Sequence, residues 1–272
     1  MSKLMVIPSD LDIKKYKDAD AFLFGIENLS VNYPMSVTIQ DLKKLKTDKE
    51  VFVSVNKNMH NKDIPLLRST LEELDKLNIK GVFFYDTAVF NIKKEQNLKF
   101  DLVWAQEHFL TNSNSANYWY DLGVKYGLVA SEITKEEILE IATSSKMALI
   151  TPIFGYQPMF VSARPLVRNY LKYFDLSTKN DTFSLEKEGF TYPIEDGLNT
   201  VVYSSYILNG LKENIDTEYL LLNSFRIDPE KFLKVLSNYK NKGNEEEIKK
   251  LFDNTDLGFL HKETVYKVKK NG

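Results

Sequence analysis

Nine side chains able to do chemistry stand where runs of apolar residues give out: Glu27, Asn56, Lys57, Asp86, Gln106, Glu132, Tyr156, Ser162 and Arg164. Glu132 and Asp86 are the carboxylates suited to general acid–base work. Asp86, closing "GVFFYD", suits a metal or the cap of a following helix equally well. Glu132, in "VASEIT", sits just ahead of a capping box and can serve local structure alone. Arg164 carries a planar fork of donors that matches a carboxylate or phosphate, or else pairs with a nearby loop acid. Lys57 would add charge, and Asn56, Glu27, Gln106, Tyr156 and Ser162 hydrogen bonds, around the same substrate. Ser162 invites comparison with a nucleophile, but no G-x-S-x-G elbow surrounds it and no signature ties His60 or His108 to it. A turn or helix cap is the plainer reading. His108 and Trp104 read as packing residues.

Ser162 and Arg164 belong to "TPIFGYQPMFVSARPLVRNYLKYF", residues 151–174. The stretch starts as a buried strand, breaks at Gly155 and Pro158, and settles into a helix, which reads as a ligand-facing strand-to-helix loop with Tyr156 and Phe160 as an apolar wall. The ligand expected there is a peptide or a small anion gripped by Arg164 and Lys57.

Positioning these residues takes a regular frame. Eight nearly continuous apolar runs read as strands covered on both faces: 3–8, 21–26, 51–56, 81–86, 102–106, 126–131, 147–154 and 218–224. Helical patterns lie between them. In 63–78, Ile64, Leu67, Leu71 and Leu74 form one apolar stripe. Thr134 with Glu137 forms a capping box, and Asp228 before Pro229 is a strong helix start. Eight such units predict a (β/α)8 barrel occupying 1–272 as one domain, with function at the C-terminal ends of the strands. A doubly wound open sheet is the alternative, but no glycine-rich phosphate loop follows the first strand. Residues 182–205 read as a β-hairpin inserted before the last unit, and 256–272 as a short tail packed on the barrel.

Composition closes off other classes. With 43% hydrophobic and 27% charged residues the chain has an ordinary globular balance. A net charge of −2 leaves no footprint for nucleic acid, which is expected only through a partner. No run is long enough for a membrane span and no signal-type segment opens the chain, so a cytoplasmic location is expected. The absence of cysteine excludes a thiolate-held iron–sulfur cluster. No metal site or other cofactor is evident from three scattered histidines, and a divalent metal held by carboxylates stays open.

The segments "VSVNKNMHNKDI" (53–64), "GVFFYDTAVF" (81–90), "LTNSNSANYWYDLGV" (110–124), "LVASEITKEEILEI" (128–141) and "EKEGFTYPIEDGLNTVVYSSYIL" (186–208) run in one order through the chain. On these it resembles the bacterial collagenase-like peptidases, peptidase family U32, in a short cysteine-free form. The resemblance implies a TIM-type barrel and a peptidase, or hydrolase, acting on peptides. Some longer members instead hydroxylate RNA bases or ubiquinone precursors with an iron–sulfur cluster, which implies the alternative of a cluster-free partner subunit of such a relative. Where those relatives place cysteines around a serine–glycine–arginine step, this chain has Pro158 and Pro165, with Ser162, Ala163 and Arg164 between. It has Ser131 where an arginine usually precedes Glu132, and "LNSFR" keeps only Arg226 of the family's last polar step.

Overall fold

The computed structural model describes residues 2–178, 182–197 and 199–262. Its strands are β1 (Lys3–Ile7), β2 (Ala21–Ile26), the two-residue β3 (Ser36–Val37), β4 (Glu50–Val55), β5 (Gly81–Phe84), β6 (Asp101–Trp104) and β7 (Tyr126–Leu128). They continue as β8 (Ala148–Ser162), β9 (Phe183–Lys187), β10 (Phe190–Asp196), β11 (Thr200–Asn209), β12 (Tyr219–Asn223) and the short β13 (Thr255–Asp256). The helices are α1 (Ile39–Lys44), α2 (Ile64–Asp75), α3 (Thr87–Gln96), α4 (Ser113–Asp121), α5 (Lys135–Ser144), α6 (Leu166–Tyr173), α7 (Pro229–Lys240) and α8 (Glu245–Lys249).

Eight strands pair in parallel in the order β12, β1, β2, β4, β5, β6, β7, β8, and β8 returns to β12 through Ile150 opposite Tyr219. The result is the expected closed (β/α)8 barrel. Strand parity divides the core. On β4, Val51, Val53 and Val55 pack outward with the helices, while Phe52 points into the lumen. There Phe52 meets Phe83, Tyr126 and Tyr219 edge-on at 6.0, 5.8 and 5.4 Å, filling the lower lumen with rings. Below them the Tyr219 hydroxyl donates to Glu50 Oε2 at 2.6 Å, and Lys3 and Lys80 flank the same carboxylate at 3.1 and 3.3 Å. The barrel is thus plugged from its N-terminal face.

The start signals act as read: the Thr134–Glu137 box is complete, and Asp228 accepts from Lys231 N at 3.0 Å. Among the described residues no helix is long and apolar enough to cross a membrane. Of the expected tail, residues 263–272 lie outside the described residues. The preceding segment is tied down by β13 against β11, and by His261, 2.8 Å from Glu213.

The stretch expected to break at Gly155 and Pro158 does not break. β8 runs unbroken for 15 residues, and its second half leaves the barrel to pair antiparallel with β11. Gly155 makes the exit possible. Its φ is +116°, and a Cβ there would lie 2.6 Å from the Asn223 carbonyl oxygen. Pro158 falls at a register shift opposite Tyr203, where a missing N–H is tolerated. The insertion before the last barrel strand is therefore larger than the expected 182–205 hairpin: it takes in the outer half of β8, α6, the β9–β10 hairpin and β11.

Candidate functional site

Above the ring plug the C-terminal ends of the strands enclose a cavity of about 110 Å³. Ile7, Leu23, Phe83, Leu128 and Phe154 give it apolar walls, and Ser54, Asn56, Glu107, Asn32 and Tyr33 a polar side. An outer lobe of about 230 Å³ shares Asn32, Asn56 and Glu107 and adds Lys57, His60 and Tyr85. The insertion roofs this lobe with Val161, Ala163 and Asn199.

Strand parity explains the inner wall. On β6, Val103 and Ala105 face the lumen, so the next residue in phase is Glu107. Burial pushes the Glu107 carboxyl above its ordinary range, with His108 pulling weakly the other way. On β4 the in-phase residues after Phe52 are Ser54 and Asn56. Ser54 is fully buried, and its hydroxyl lies near that of Tyr33 without completing a hydrogen bond. Tyr33 reaches this position because β2 carries Gly25 in the inward phase. A Cβ at Gly25 would lie 2.7 Å from the Tyr33 ring. Burial, with the charge of Glu107 adding to it, raises the Tyr33 hydroxyl pKa and keeps it protonated. Asn32 has left-handed backbone, φ +69°, and a buried Nδ2 that meets no partner.

Asn56 and Tyr156 line the inner lobe. Asn56 grips the loop after β2 through Val31, accepting from its N–H at 2.9 Å and donating to its carbonyl at 3.1 Å. The Tyr156 hydroxyl receives Asn254 Nδ2 at 3.3 Å. Lys57 reaches the outer lobe with its ammonium 3.4 Å from Asp63. The remaining expected residues fall elsewhere. Both Asp86 oxygens are engaged, accepting from Ala88 N at 2.9 Å and Met59 N at 3.0 Å, so it caps α3 and fastens a loop. Gln106, out of phase with the lumen, donates to the Tyr85 carbonyl at 2.6 Å and accepts from Trp104 at 2.9 Å. Ser162 accepts from Arg164 N at 3.2 Å in a local turn, and the Arg164 side chain is exposed outside both lobes. Glu27 and Phe160 are also exposed and line neither lobe. Glu132 stands at the rim 3.6 Å from His108, which therefore borders the mouth instead of packing in the core as expected. Trp104 is buried against Trp119 as expected.

Glu107, Ser54, Asn32 and Tyr33 escape a search for polar residues at the ends of apolar runs. The first two were findable by continuing the alternation of each strand past its apolar part. Arg226 proves structural: it donates to the carbonyls of Phe183 at 3.0 Å and Ile194 at 2.6 Å, clamping the hairpin. Among the described residues no three histidine or carboxylate side chains gather as a metal-ligand set. With no cysteine, and with prolines at 158 and 165, the chain has no thiolate to offer an iron–sulfur cluster.

This is a (β/α)8-barrel protein with its pocket at the C-terminal ends of the strands, roofed by an insertion between the seventh and eighth barrel strands. The model of peptidase family U32 matches residues 10–180, and the chain belongs to that family. It is 28% identical to the tRNA hydroxylation protein P2 of Bacillus subtilis, over 91% of this chain and 93% of that one. A solved U32 peptidase is similar at 16% identity and TM-score 0.49, covering 82% of this chain and 93% of its own. Orotidine 5'-monophosphate decarboxylase of Methanocaldococcus jannaschii is similar at 16% and 0.46, covering 90% and 100%.

Proposed function

We propose that the chain is a cluster-free subunit of a tRNA hydroxylation system, working beside a longer, cysteine-bearing U32 relative that carries the redox chemistry. Similarity to the tRNA hydroxylation protein P2 over nearly the whole of both chains supports the reaction class. The observation that carries the subunit role is the surface of the insertion. Of the fifteen large apolar side chains exposed among the described residues, ten lie between Met159 and Phe190. On α6, Leu166, Tyr170, Tyr173 and Phe174 follow helical spacing, and Tyr173 is 82% exposed.

That helix is held in place by its polar end. Leu166 N donates to Thr200 Oγ1 at 2.7 Å, and Val167 N and Arg168 N donate to the buried Asp196 at 3.2 and 3.0 Å. Three of the orphan N–H groups of its first turn are satisfied while its aromatic face is left bare. Apolar patches of this kind mark protein interfaces.

The alternative, a collagenase-like peptidase acting on peptides at the mouth, rests on the family's name. No observation at the site favours it: the Ser162 hydroxyl serves a turn, and no histidine bonds to it among the described residues.

Co-expression with a cysteine-bearing U32 protein, followed by co-purification and mass spectrometry of tRNA nucleosides from a deletion strain, tests the reading. Stable co-purification and loss of hydroxylated nucleosides on deletion are expected, and Tyr170→Glu with Tyr173→Glu abolishes both association and rescue. Cleavage of peptides by the purified chain alone, with tRNA unchanged in the deletion strain, overturns it.

A further inference from the structure

The inner lobe of the mouth has a chemistry of its own. Buried polar atoms without partners are rare in folded proteins. Asn32 Nδ2 and Ser54 Oγ are both unpartnered, and both residues line this one cavity. Asn32 presents a donor. Ser54 can donate or accept. Gln157 has its Nε2 committed to the Gly155 carbonyl at 2.9 Å, which leaves its own carbonyl oxygen as a further acceptor at the wall. Among the described residues lysine and arginine are absent from this lining and His108 stands at the rim, so an anion entering the lobe would find no fixed cation to pair with. Burial also favours the uncharged form of that carboxyl, which removes the attraction a cation would need. The rings of Tyr33, Phe83 and Phe154 stand around the space.

We propose that the inner lobe binds one small, uncharged ring amide, whose carbonyl accepts from Asn32 Nδ2 and whose N–H donates to Ser54 Oγ or the Glu107 carboxyl. The amide supplies a donor and an acceptor on one planar group, which is what the two vacant positions require, and its ring takes the apolar side. This concerns the mouth alone, so its failure leaves the subunit reading, which is tested by association, untouched.

Three probes of one shape separate the possibilities: benzamide, benzoate and benzamidine, which are neutral, anionic and cationic at neutral pH. Binding is read by ligand-observed NMR and thermal shift on the full chain. Benzamide binds in the millimolar range, and the two charged isosteres bind at least about tenfold more weakly. Asn32→Asp keeps the oxygen that Asn199 uses and removes the donor, Ser54→Ala removes the hydroxyl, and thermal denaturation of each variant without ligand checks that it folds. Each weakens benzamide by about three- to tenfold, the worth of one hydrogen bond. Equal or tighter binding of benzoate or benzamidine, no binding of benzamide, or unchanged affinity in both variants overturns the proposal.

Discussion

Asn199 Nδ2 donates a 2.9 Å hydrogen bond to Asn32 Oδ1, joining the insertion to the loop after β2 across 167 residues of chain. The bond crosses the outer lobe, so the roof and the rim of the mouth move together. Asn199→Ala should cost about 1 kcal/mol and raise amide exchange in both the 28–33 loop and the insertion. Unchanged exchange in the loop would show that other contacts hold the roof.

Glu107 should lower stability at neutral pH. Its folded-state pKa is raised, mainly by burial, so ionisation is harder in the folded chain than in the unfolded one. Below about pH 4, where both states are protonated, there is no penalty. The penalty grows as pH rises through the folded pKa and is complete above it. Glu107→Gln should therefore raise the thermal midpoint at pH 7–8 and leave it unchanged near pH 4. A midpoint that falls at pH 8 would mean that the carboxylate has a partner in the folded state.

Asp86 should behave as a cap. Asp86→Ala leaves Ala88 N and Met59 N without their acceptor and should cost about 1–2 kcal/mol in urea denaturation, with Asp86→Asn recovering much of it. A variant with Ala at this position and wild-type stability would return Asp86 to the chemical residues.

The ring plug should be the most sensitive part of the core. Phe52 is fully buried and touches three other rings, so Phe52→Ala should cost about 3–5 kcal/mol. It should also deepen the inner lobe toward the N-terminal face, visible as new binding of a ligand too long for the native cavity. A loss below about 1 kcal/mol would mean that the barrel collapses around the gap.

The barrel was legible because its strands are buried on both faces and read as apolar runs, as in "AFLFGI", where all six residues of β2 are buried. The long course of β8 was not. Gly155 and Pro158 are ordinary breakers, and only pairing with β11, some fifty residues on, turns them into a bend and a bulge. For the site, the lesson lies in parity. Gln106 and Asp86 follow apolar runs but sit on the wrong side of the pleat, whereas Glu107, one residue further, continues the inward alternation. Asn32 and Tyr33 come from a loop whose path depends on Gly25 and on the grip of Asn56, so no periodicity in the sequence announces them.

The bare aromatic face of α6 also sets terms for the chain's life in a cell. Left uncovered, an aromatic surface beside the β9–β10 hairpin, whose strand β9 ends the sheet order, is an invitation to chaperones, proteases and other copies. On the proposed subunit reading, supply of the partner would govern how much of this chain survives, and the two would stay in balance by disposal of the excess, with no need for matched synthesis.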